Sequence, residues 1–182
     1  LLISGGIHMD GLCDTADALA SHQSRERKLD ILKDSHTGAF AVIFCTGWLV
    51  LYFGALTQPA GRRSWGIIAL GFVLSRSLSG LALANLKGAR ASGMLQSFAD
   101  ASHRGVVSVV MAVYLVLAAA GMLLLSPISG GAAIIAALLC LLGYRRMAYR
   151  QFGGITGDLA GYFLQLCELA VVLAAALTWQ VG

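Results

Sequence analysis

Gly38-Ala39-Phe40-Ala41-Val42-Ile43-Phe44-Cys45-Thr46-Gly47-Trp48-Leu49-Val50-Leu51-Tyr52-Phe53-Gly54-Ala55-Leu56 carries no charged side chain at any position. At a rise of about 1.5 Å per residue, a helix over this stretch is about 28 Å long, close to the hydrocarbon thickness of a bilayer. It reads as a membrane-crossing helix, and the rest of the chain follows suit. Mean hydropathy is +0.77, with 58% of residues hydrophobic and 12% charged. Further apolar runs occupy 66–84, 106–125, 130–148 and 157–179, giving about five spans. The second carries Arg76 and the last Glu168. The fourth has only about fourteen apolar residues before Tyr144-Arg145-Arg146, so it is expected to be short or to end in snorkelling arginines. The expected fold is all-α, a polytopic transmembrane helical bundle forming a single integral membrane domain over 1–182. Leu1-Leu2-Ile3 reads as the tail of an earlier apolar helix, so a further N-terminal span is expected. Cys13, Cys45, Cys140 and Cys167 show no CxxC spacing and are expected to be free thiols without a metal role.

The basic residues set the orientation. Segments 4–37, 85–105 and 144–156 hold Arg25, Arg27, Lys28, Lys33, Lys87, Arg90, Arg104, Arg145, Arg146 and Arg150, while the alternate segments hold only Arg62 and Arg63. Ten against two predicts that the first group is cytoplasmic. Asp10, Asp14, Asp17, Glu26, Asp30, Asp34, Asp100 and Asp158 lie on that same side or at its edge, as do His8, His22, His36 and His103. One face thus gathers nearly all the polar chemistry. Arg62, Arg63, Arg145 and Arg146 are accounted for by topology alone.

The richest segment, 4–37, contains His8-Met9-Asp10-Gly11-Leu12-Cys13-Asp14-Thr15-Ala16-Asp17. Carboxylates at i, i+4 and i+7 fall within about a 60° arc of a helix. Like charges this close repel, by a few tenths of a kcal/mol per pair even when exposed. A cation among them removes that cost, and oxygen-only ligands point to Mg²⁺ or Mn²⁺. Asp10, Asp14 and Asp17 are therefore the expected metal ligands. Arg25, Arg27, Lys28 and Lys33 follow directly, which suits a polyanionic substrate sharing its phosphate charge between metal and cations. The alternative is a solvated amphipathic helix with Arg27–Asp30 and Asp30–Lys33 pairs.

Two further stretches carry polar chemistry. Lys33-Asp34-Ser35-His36-Thr37-Gly38 is a donor-rich lead into the first span, where Gly38 permits close backbone approach. Phe152-Gly153-Gly154-Ile155-Thr156-Gly157-Asp158 precedes the last span and can present backbone N–H groups as an anion cradle. Thr156 as an N-cap, with Asp158 complementing the helix dipole, is the structural alternative. Arg76 and Glu168, charged within spans, face a polar cavity or each other.

Taken together, Gly5-Gly6-Ile7-His8-Met9-Asp10-Gly11-Leu12-Cys13-Asp14-Thr15-Ala16-Asp17, Arg25-Glu26-Arg27, Lys33 to Phe40, and Gly153-Gly154-Ile155-Thr156-Gly157-Asp158 resemble the cobalamin synthase family. These are the adenosylcobinamide-GDP ribazoletransferases of late vitamin B12 assembly. The likeness runs from residue 4 to the last span; Ala18 stands where the family usually has glycine. The resemblance implies a multi-pass, Mg²⁺-dependent enzyme of the bacterial inner membrane with a cytoplasmic active face. It would join adenosylcobinamide-GDP to α-ribazole or its 5′-phosphate and release GMP. On that reading Asp10, Asp14 and Asp17 hold one or two Mg²⁺ ions, with Asp34 or Asp158 completing the shell or acting as general base. Arg25, Arg27, Lys33 and Arg150 bind phosphates, Arg76 and Thr156 line the substrate site, and His8 orients a carboxylate or contacts substrate. The partners are corrinoid and ribazole substrates and the lipid bilayer, with no nucleic acid; a homo-oligomer is left open.

Three other readings compete. A CDP-alcohol phosphotransferase also clusters aspartates at a membrane surface, but the downstream Gly-x-x-x-Asp-x-x-x-Asp of its motif is absent here. A prenyltransferase needs Asp-Asp-x-x-Asp, also absent. A cation transporter predicts acids near the midplane of the spans, whereas eight of the nine acids lie at one face.

Overall fold

The computed structural model describes residues 5–34, 36–59, 61–89 and 104–180. Expectations resting on Leu1-Leu2-Ile3, Ser35, Arg90, Asp100 and His103 fall outside the described residues. Among the described residues, seven helices follow in order: α1 (Ile7–Ala20), α2 (Arg25–Ile31), α3 (Ala39–Leu56), α4 (Gly61–Asn85), α5 (Arg104–Leu125), α6 (Pro127–Met147) and α7 (Gly157–Thr178). A π-helical turn, Ala148–Phe152, extends α6. No strand forms among the described residues, only an isolated parallel bridge between Gly88 and Ile155. The helices α3, α4, α5, α6 with its extension, and α7 are each long and apolar enough to cross a membrane.

The last span is the centre of the bundle. α7 packs on α1, α3, α4 and α6, and buries Leu159, Phe163, Cys167, Val171 and Ala175 among others. Peripheral helices look quite different. α3 buries only Ala41, Trp48 and Ala55, a strict seven-residue seam. Its Phe40, Ile43, Val50, Leu51 and Phe53 point outward. α5 buries only Ala118 and Met122. A helix apolar all round with so narrow a buried stripe belongs in lipid. Trp48 pins α3 to the centre by donating its indole N–H to the Gln165 carbonyl at 3.0 Å and stacking on Tyr52.

The span boundaries are longer than expected in two places. α4 begins at Gly61, taking Arg62 and Arg63 into its first turn. α6 begins at Pro127 and its span runs on to Phe152, so it is not short, and Arg145, Arg146 and Arg150 lie in its final turns. The reason is local: the Ser126 hydroxyl accepts the Ser129 N–H at 3.2 Å, and Pro127 occupies the first helical position, where its missing N–H costs nothing.

Charges within the spans pair. Arg76 donates to the Glu168 carboxylate, which is 7% exposed, and also to the Ser75 hydroxyl and the Phe72 carbonyl. Of the two readings open for Arg76, the structure thus places it on its partner in α7. The other ion pair among the described residues is His36–Asp34, so the Arg27–Asp30 and Asp30–Lys33 pairs do not form.

Candidate active site at one end of the bundle

Three chain segments far apart in sequence meet at one end of the bundle: 5–38, 87–89 and 148–158. α1 lies antiparallel to α7, because Gly11 abuts Asp158 while His8 abuts Gly161. A Cβ on Gly11 would stand 2.6 Å from the Asp158 carbonyl oxygen, and one on Gly161 would stand 3.1 Å from the His8 carbonyl. Only glycine permits backbones this close. One turn beyond Gly11, Asp14 lies at the end of α7 that carries Asp158.

The electrostatics record that juxtaposition. The Asp14 carboxyl is pushed up to about 6, first by burial and then by the charges of Asp10, Asp158 and Asp17. Asp10 is exposed and Asp14 half-buried, so the cluster opens to the surface. Burial also lowers the His8 imidazole below its ordinary range, with the Arg76 charge adding to the effect, which keeps it neutral near pH 7.

Asp17 has a structural task. Its two oxygens accept the Gly38 N–H at 2.6 Å and the Ala41 N–H at 2.8 Å, capping α3 from another helix. The close approach that Gly38 permits is to this carboxylate, since a Cβ there would lie 2.7 Å from both oxygens. Asp34 is turned elsewhere. It accepts from the His36 backbone N–H at 3.0 Å and lies 2.7 Å from His36 Nδ1, and these bonds hold its carboxyl below the usual range.

The 152–158 segment is fastened from two sides. Arg25 Nε donates to the Phe152 carbonyl at 2.7 Å and Lys28 Nζ to Gln151 Oε1 at 2.5 Å, docking α2 on the π-turn. Ile155 N–H donates to the Lys87 carbonyl and Ala89 N–H to the Ile155 carbonyl, both at 2.9 Å. The Thr156 hydroxyl, read from sequence as a substrate contact or an N-cap, accepts the Leu159 N–H at 3.2 Å and so caps α7. Arg25 is exposed and spends one of its donors, Nε, on this contact. Arg27 and Lys33 stay exposed nearby, while Arg150 lines a separate pocket with Arg145 and Arg146. Sequence reasoning missed the roles of Lys28, Gln151 and Lys87–Ala89; Lys28 is buried in a basic run, but no local spacing marks that.

Among the described residues, no three His, Cys, Asp or Glu side chains lie close enough to hold a metal ion. The donor chemistry of Asp10, Asp14 and Asp17, with Asp158 facing them, nonetheless suits a hard divalent cation: oxygen donors only, with a mutual repulsion that a cation would relieve.

Comparison with known proteins bears on this arrangement. A family model described as cobalamin-5-phosphate synthase matches residues 1–176. A protein of Lachnoclostridium phytofermentans named adenosylcobinamide-GDP ribazoletransferase is 51% identical over 177 residues, covering 97% of this chain and 67% of the relative. Proteins of the same name from Pseudomonas fluorescens and Pseudomonas savastanoi pv. phaseolicola are 35% and 37% identical, each over 97% of this chain and 72% of the relative. No solved structure matches. With the family model spanning both glycine- and aspartate-rich segments and every span between them, this chain belongs to the cobalamin-5-phosphate synthase family.

Proposed function

We propose that this protein joins adenosylcobinamide-GDP to α-ribazole or its 5′-phosphate with release of GMP, at the cytoplasmic face of a bacterial inner membrane. The observation that supports it most is the meeting of Asp10 and Asp14 on α1 with Asp158 at the start of α7, in a chain whose relatives carry that enzyme's name. In the reaction a ribose hydroxyl oxygen attacks the phosphorus bonded to the cobinamide oxygen. The bond from that phosphorus to the bridging oxygen breaks, and GMP leaves with the electron pair.

Asp10 and Asp14 would hold Mg²⁺, with the lone pairs Asp17 has left after capping α3. Bound there, the cation would neutralise charge on the pyrophosphate and on the departing GMP. Asp158 accepts the hydroxyl proton; Asp34, exposed and held low by His36, is the poorer base. Arg27 and Lys33 bind phosphate oxygens, and neutral His8 contacts the substrate without adding charge. Arg25 and Thr156 act indirectly, by fixing the loop that presents Asp158.

The test is GMP release in liposomes given adenosylcobinamide-GDP, α-ribazole and Mg²⁺. Release that needs ribazole and Mg²⁺, and is lost in Asp14→Asn, is the expected outcome. Activity surviving Asp14→Asn would move the site elsewhere, and no turnover by folded protein would refute the assignment.

A further inference from the structure

A second polar pocket lies at the same end of the bundle, beside the π-turn, and contains none of the clustered acids. At the end of α6, Leu142, Arg145, Arg146, Tyr149 and Arg150 line an open pocket of about 370 Å³. α6 packs on α7, and the five lining residues all lie on the exposed side of α6 and its π-turn. None of the three arginines makes a hydrogen bond or ion pair from its side chain with another described residue. The Tyr149 hydroxyl accepts the Lys87 backbone N–H at 2.9 Å, which fixes the ring at the pocket edge.

The approach to the pocket decides what it takes. Ile135, Leu138, Leu139 and Leu142 are exposed at helical spacing and form a stripe on α6 leading into it. In a bilayer that stripe faces acyl chains, while Tyr149 and the arginines stand at headgroup level. Three guanidinium forks converging above an apolar strip match a molecule with a phosphate at one end and hydrocarbon at the other. A soluble nucleotide would use only the upper half. We propose that this pocket binds the headgroup phosphate of an anionic phospholipid, with an acyl chain along Ile135–Leu142.

The experiment is native mass spectrometry of the protein in dodecyl maltoside, with dioleoylphosphatidylglycerol and dioleoylphosphatidylcholine as probes at equal concentration. Retention of the anionic lipid is expected to exceed that of the zwitterionic one at least about tenfold and to resist millimolar GMP. Arg145→Gln/Arg146→Gln should lower it about tenfold. Arg62→Gln/Arg63→Gln, with the same charge loss on the α3–α4 side, should leave it intact. Equal retention of the two lipids would overturn the proposal, as would equal loss in both double variants, which would mark bulk charge alone. Displacement by GMP would make this a soluble-phosphate site instead. If the double variant does not purify, Arg146→Lys keeps charge but loses the fork, and a severalfold drop is expected; unchanged retention overturns the guanidinium–phosphate contact.

Discussion

Gly11→Ala tests the α1–α7 contact on which the acidic cluster depends. The added methyl would stand 2.6 Å from the Asp158 carbonyl oxygen, 3.0 Å from its Cα and 3.2 Å from its carbonyl carbon. A tolerable C···O contact is about 3.3–3.6 Å, so the backbones must part by about 0.7–1 Å. All three atoms are main chain, so no rotamer can relieve the clash. Overpacking of this kind costs about 1–3 kcal/mol, while replacing glycine by alanine inside a helix returns about 1 kcal/mol. Net destabilisation is therefore small, about 0–2 kcal/mol. Activity is the sharper readout, because the displaced residue is Asp158 itself and a misplacement of about 1 Å can cost about 100-fold in rate. The assay pairs the melting temperature in detergent with kcat/KM for ribazole-dependent GMP release. Gly47→Ala, on the lipid face of α3 with nothing within 4 Å of the added methyl, is the control and should be neutral or slightly stabilising. Wild-type kcat/KM in Gly11→Ala would refute the reasoning, and so would an equal loss in Gly47→Ala.

Three further outcomes follow from the same geometry. Asp17→Ala removes both acceptors for the Gly38 and Ala41 N–H groups and should cost about 1–2 kcal/mol in detergent melts without Mg²⁺, with Asp17→Asn recovering part of it. A role in metal binding alone would leave those Mg²⁺-free melts unchanged. Asp14, with its carboxyl at about 6 folded against 3.8 ordinarily, binds its proton more tightly in the folded state. Its contribution is therefore favourable at pH 4 and is lost as pH rises through about 6, so metal-free protein should melt lower at pH 7.5 than at pH 5 by a margin that Asp14→Asn reduces. Equal pH dependence in both proteins would contradict this. Arg76→Met leaves Glu168 buried and unpaired and should cost about 3 kcal/mol, whereas Arg76→Met/Glu168→Leu should recover most of it; a double variant as unstable as the single would show that the pair itself carries the stability.

The spans were readable because apolarity over nineteen residues, as in Gly38–Leu56, leaves few other structures available. The extra length of α6 is written in Ser126 and Pro127, a cap and a helix-starting residue, which the count of apolar residues before Tyr144 does not register. Asp17 shows where reading along the chain stops. It shares a helical stripe with Asp10 and Asp14, yet its oxygens are engaged by N–H groups twenty-one and twenty-four residues later. That depends on how α1 approaches α3, which no periodicity encodes. Arg76 and Glu168 were conspicuous as charges inside spans, but the bond across ninety-two residues follows only once α4 and α7 are seen side by side. Thr156 fits two roles from its neighbours, and the bond its hydroxyl accepts from the Leu159 N–H shows the capping one.

The position of α7 in the chain has a consequence for biogenesis. The helix that α1 lies against leaves the ribosome well after it, with Asp158 following Gly11 by 147 residues. At roughly 5–20 residues per second, α1 waits on the order of 7–30 s for its partner. During that interval the nascent chain has its first aspartates in place but no Asp158 beside them. On the proposed assignment of Asp158, phosphoryl-transfer competence is thus acquired late, when α7 inserts, and a ribosome stalled before residue 157 leaves in the membrane a product that lacks this carboxylate.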